Sequence, residues 1–71
     1  MIKMTLRKQD LIEFIGILKR KRISRRELSA KIKEHWGYSE YIVENRIKYL
    51  LETGLIRLSK ESHDIFEVPN G

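Results

Sequence analysis

Between Ser39 and Ile56 the spacing of apolar residues changes period at a single glycine, which dictates a helix on one side and extended chain on the other. Val43, Ile47, Leu50 and Leu51 recur at helical spacing and share one face, while Tyr41, Asn45, Lys48 and Glu52 fall on the opposite face. One side of this helix is built to be buried, and the other is left to meet something else. Ser39 is a residue type that caps a helix start by accepting from an unpaired backbone N–H, and Gly54 supplies the left-handed position that ends a helix cheaply. After Gly54 the run LIRLS alternates, polar KESHD follows, and DIFEV alternates again. The pattern predicts a β-hairpin directly behind a helix.

The rest of the chain has to fit that piece. With 71 residues there is room for one domain, and about 60% of the surface of an unfolded chain this size can be buried. There is no cysteine, so neither disulfides nor a thiolate zinc site can staple the core. No apolar run is long enough to span a bilayer, and MIKMTLRKQD has no apolar core of a secretory signal. A soluble, cytoplasmic chain without a membrane partner is the expectation.

At the N-terminal end Ile2, Met4 and Leu6 alternate with polar residues, consistent with an edge strand or a loose arm. The first helix is expected over about 8 to 20. It carries Leu11, Ile12, Phe14, Ile15, Ile17 and Leu18, more than one face, with Gly16 in its middle as a candidate close approach. After KRKR and a lone Ile23, Ser24-Arg25-Arg26-Glu27 reads as a capping box, in which the serine hydroxyl accepts from the third helical N–H and the glutamate reaches back. The second helix is expected over about 25 to 36, with Leu28, Ile32 and Trp36 as its buried stripe and Gly37 at its stop. The third is expected over about 40 to 53, and the strands over about 55 to 59 and 64 to 68. The fold class is therefore mainly α with a C-terminal hairpin, and the glycine-containing turn joining the second and third helices has the proportions of a helix-turn-helix.

Charge is segregated. Residues 19 to 33 hold eight basic side chains against one acid, Glu27, while the remainder holds seven basic and nine acidic. A net charge of +5 is thus a basic block on a slightly acidic body, which points to a polyanion touching one region; the alternative is a solvated lysine-rich face.

The order of helix, short β-like Ile23, capped helix, turn, longer helix ending in E-T-G-L-I and hairpin resembles a winged helix-turn-helix DNA-binding domain. The specific stretch is Ile42 to Ile56, where Val43, Ile47, Leu50 and Gly54-Leu55-Ile56 stand at the family's spacing. In size the chain is similar to minimal transcriptional regulators of archaea and their viruses and plasmids. The resemblance implies three helices with a two-stranded wing, and sequence-specific binding of double-stranded DNA with the helix from Ser39 to Thr53 in the major groove. It implies base contacts from Tyr41, Ile42, Asn45 and Lys48: Asn45 suits adenine, Lys48 guanine, and Ile42 a thymine methyl. Backbone contacts would come from Arg25, Arg26, Ser39, Arg46, Tyr49, Arg57 and Lys60, with Ser62 and His63 beside them in the wing. The KESHD tip is short and only partly basic, and Glu40 and Glu44 lie beside the reading face. Glu44 is expected to pair with Lys48 four residues on.

Other classes fare worse. An enzyme would need a nucleophile with its base, a carboxylate pair or a metal cluster, and the chain offers only His35 and His63 with no cysteine. No cofactor, metal or small-molecule ligand is expected. Trp36 and Tyr38 could form a stacking platform for single strands, but Trp36 falls on the buried stripe. The main alternative is a winged-helix protein-interaction module in a larger nucleic-acid-processing assembly, since fold alone does not define function. The wide apolar surface of the first helix suggests a homodimer through that helix, with an inverted-repeat target; otherwise it packs under the wing, against Leu55, Leu58, Phe66 and Val68.

Overall fold

In a computed structural model, which describes residues 7–69, the chain forms three helices and a three-stranded antiparallel sheet. The elements are α1 (Lys8–Leu18), β1 (Arg22–Ser24), α2 (Arg25–Trp36), α3 (Glu40–Glu52), β2 (Arg57–Leu58) and β3 (Ile65–Glu67). Ile2, Met4 and Leu6 lie outside the described residues. No described helix is long and apolar enough to cross a membrane.

α1 and α2 each start where a side-chain hydrogen bond closes the first turn. The Arg7 N–H donates to the Asp10 carboxylate at 3.1 Å to open α1. The Ser24 hydroxyl accepts from Glu27 N–H at 3.1 Å to open α2. Only half of the expected capping box forms, because the Glu27 carboxylate turns to Arg20 instead of back to Ser24. α1 ends two residues before the expected boundary, where Lys19 takes a left-handed φ of 50°. α2 stops at Gly37, with φ 133°, and α3 runs out at Gly54, with φ 77°.

The hairpin is not a free two-stranded wing, as the sequence suggested. The sheet order is β1-β3-β2, so Ile23 belongs to a true strand and β3 is central. Arg22, Ile23 and Ser24 face Glu67, Phe66 and Ile65, and on the other side Arg57 and Leu58 face Glu67 and Phe66. Lys21 C=O accepts from Val68 N–H and Asp64 C=O accepts from Arg25 N–H, both at 2.7 Å, which extends the β1–β3 contact past each end. β2 is shorter than predicted for a physical reason. The N–H groups of Leu55 and Ile56 both donate to Leu50 C=O, closing the end of α3, and so cannot join the ladder.

One core unites these parts. Leu11, Phe14, Ile15 and Leu18 of α1 meet Ile23, Leu28, Ile32, Val43, Ile47, Leu50, Leu55, Ile56, Phe66 and Val68. Truncating a buried phenylalanine such as Phe14 to alanine costs about 3–5 kcal/mol, a large share of the stability of any small domain. Trp36 only half enters this core: it packs against it from the edge, with its ring centre 4.8 Å from that of Phe14. The apolar surplus of α1 does not pack under the wing. Ile12 is 44% and Ile17 61% exposed, and Leu58 is exposed as well. Gly16 marks no close approach, since an added Cβ would meet nothing within 4 Å.

Candidate nucleic-acid interface

The outward side of α3 is defined by what its inward side buries. Val43, Ile47 and Leu50 are in the core, so helical geometry turns Tyr41, Lys48 and Glu52 away from it. Tyr41 is 77% exposed, and Tyr38, in the turn just before α3, is 79% exposed. Lys48 is exposed and, among the described residues, has no carboxylate within 4.0 Å; the expected Glu44–Lys48 pair does not form. Ser39 occupies the position before the first turn in extended conformation, and its C=O accepts from Val43 N–H, but its hydroxyl makes no cap bond. Instead, Lys33 of α2 reaches Glu40 at 3.5 Å and ties the two helices at their junction.

The other proposed base readers are less free than their helical positions suggest. Ile42 is half-buried, its Cδ1 lying 3.6 Å from where a Cβ on Gly37 would stand. Asn45 is half-buried too, because Arg46 donates from Nη1 to Asn45 Oδ1 at 2.6 Å. The Arg46 guanidinium lies 5.2 Å from the centre of the Trp36 ring, and its Nε is buried with no acceptor among the described residues. No residue spacing announces this arrangement, since Trp36 and Arg46 stand on different helices and share no repeat.

The backbone-contact candidates divide in the same way. Arg25 lies over the Phe66 ring at 5.1 Å and is half-buried, whereas Arg26 is exposed. Tyr49 is 40% exposed on the flank of α3. Arg57 is exposed but donates to Glu67 at 2.8 Å, and Arg22 approaches Glu67 from the other edge at 4.0 Å and Glu61 at 3.3 Å. At the wing tip, Ser59 and Ser62 hydroxyls accept from the N–H groups of Glu61 and Asp64, shaping the turn that holds His63 and leaves Lys60 exposed.

The basic block is partly answered by the acidic body. Arg20 pairs with Glu27, Arg22 with Glu61 and Glu67, Lys31 with Glu34, and Lys33 with Glu40. Among the described residues, Lys19, Lys21, Arg25 and Arg26 have no carboxylate within 4.0 Å. Exposed pairs contribute about 0–1 kcal/mol each, so a phosphate can displace a carboxylate from most of them at small cost.

Comparison of the chain with protein-family models, with curated proteins and with solved structures finds no match.

Proposed function

We propose that the chain is a winged helix-turn-helix domain that binds double-stranded DNA sequence-specifically, laying α3 in the major groove as a transcriptional regulator. The observation that carries this reading is the uncovered side of α3. A helix of 13 residues, about 20 Å long, stands on the core by one face and offers Tyr41 and Lys48 on the other. The major groove is wide enough for one such helix. Support also comes from Arg26, exposed in the first turn of α2, and from Lys19 and Lys21, exposed between α1 and β1, none of which has a carboxylate within 4.0 Å among the described residues. Base contacts fall to Tyr41, Asn45 and Lys48, with Ile42 on the flank. Phosphate contacts fall first to Arg26 and Lys60, which have no carboxylate partner within 4.0 Å among the described residues, then to Ser39, Tyr49, Arg25 and Arg57.

The test is binding of duplex and single-stranded oligonucleotides across a salt series, followed by fluorescence anisotropy. Each phosphate neutralised contributes about −0.9 to the slope of log K against log salt. The expected result is a duplex preference with a slope of several units. A flat response, or tighter binding of single strands, would overturn the reading.

The second reading, a protein-interaction module, draws on the acids of the same face. Glu44 and Glu52 are exposed on α3 and have no cation within 4.0 Å among the described residues, and they repel a phosphate backbone. Exposed Tyr38 and Tyr41 are of a type enriched in protein interfaces. Duplex binding that disappears at physiological salt would favour this second reading.

A further inference from the structure

Asn45 and Arg46 are successive residues of α3, and successive helical positions point about 100° apart. Their side chains therefore do not meet by default. They meet here because the Arg46 side chain turns back, with its guanidinium 5.2 Å from the Trp36 ring centre on α2 and its Nη1 donating to Asn45 Oδ1 at 2.6 Å. The Nε is enclosed and, among the described residues, meets no acceptor, so this part of the partly buried side chain is packed against protein.

We infer that Arg46 is a positioning residue for Asn45, fixing which end of its amide faces the groove, and not a phosphate contact; this rests on the DNA reading above. A guanidinium carries only donors. The amide atom facing it must be the oxygen, so the Nδ2 donors are turned away from Arg46, toward an acceptor on a base edge. Purine N7 is the acceptor that adenine and guanine share in the major groove. The Trp36 face is what makes the arrangement selective for arginine: a planar guanidinium stacks on a ring while donating in its own plane, and a lysine ammonium cannot do both. Asn45 thus enters the groove with its orientation already chosen, which reduces the ordering cost of the contact.

The experiment uses the full chain. A pool of random duplexes is selected on the unaltered protein, and each base pair of the enriched site is then varied and measured across a salt series with Arg46→Lys, Arg46→Met, Asn45→Ala and the double variant Asn45→Ala/Arg46→Lys. Arg46→Lys keeps the charge and loses the fork. Arg46→Met keeps an apolar contact with Trp36 and removes every donor. The expected result is that both variants lose about fivefold or more of discrimination at one base pair, the one Asn45→Ala also affects. Neither changes the salt slope, and the double variant is no worse than Asn45→Ala alone. If Arg46→Lys binds as the unaltered chain does, or if Arg46→Met weakens all duplexes alike with a slope flatter by about 0.9, Arg46 is a phosphate contact and the inference is overturned. Loss of helical circular dichroism in both variants also overturns it, by making Arg46 a support of the fold. Failure of the unaltered chain to enrich any duplex defeats the DNA reading itself and the inference with it.

Discussion

Lys19 holds the backbone at φ 50° where α1 gives way to β1, a conformation that costs a residue with a Cβ about 1–2 kcal/mol. Glycine avoids that cost but loses more freedom on folding. Lys19→Gly is therefore expected to raise stability by about 0.5–1 kcal/mol in urea denaturation. Gly16 is the opposite case. It sits in mid-helix with open space around its Cα, so Gly16→Ala is expected to stabilise by about 1 kcal/mol. The same substitution at Gly54, where φ is 77°, is expected to destabilise by about 1–2 kcal/mol despite equally open surroundings. Opposite signs at two glycines, measured on the same day in the same denaturant, separate the backbone effect from the packing effect.

At the level of elements, α2 presents two adjacent arginines with different employment. Arg25 lies over Phe66 of β3 and donates its N–H to Asp64 C=O, so it joins helix to sheet; a cation–π contact of this kind contributes about 0.5–1 kcal/mol. Arg26 is exposed and, among the described residues, has no carboxylate within 4.0 Å. Arg25→Ala is expected to lower the urea midpoint, and Arg26→Ala to leave it unchanged while flattening the salt slope of duplex binding by about 0.9. Equal effects of the two on both measurements would defeat this division. The helices themselves were legible because stripes such as Leu28–Ile32 and Val43–Ile47–Leu50 follow one period, and Ser24 and Gly54 mark ends by chemistry that acts locally. The strand before α2 showed only as a short β-like Ile23, because one apolar residue among cations does not say what it pairs with; its pairing with Phe66, far along the chain, makes it part of the sheet. The same limit explains the candidate site. Tyr41 and Lys48 could be placed by helical phase alone, whereas the half-burial of Asn45 and Ile42 depends on partners across the α2–α3 junction. The ion pairs that draw Arg22 to Glu61 and Glu67 likewise arise from the sheet and have no local pattern.

For the whole molecule, the homodimer suggested by the width of α1 loses part of its basis. Four of the six apolar residues are buried in the core. The two left outside, Ile12 and Ile17, are about 140° apart around the helix, on separate flanks. Single exposed aliphatic residues are ordinary on monomers. The expected species in sedimentation equilibrium at micromolar concentration is therefore the 8.5 kDa monomer, and a species of twice that mass which Ile17→Glu dissociates would restore the paired form. The central place of β3 bears, finally, on the order of events in time. Both ladders of the sheet require this strand, and its pairing with β1 joins Arg22 to Glu67 across most of the described chain, whereas the helices need only near neighbours. Contacts so distant in sequence close late. The sheet is then the concluding step of folding, and Phe66→Leu is expected to speed unfolding in stopped-flow kinetics while leaving the refolding rate nearly unchanged.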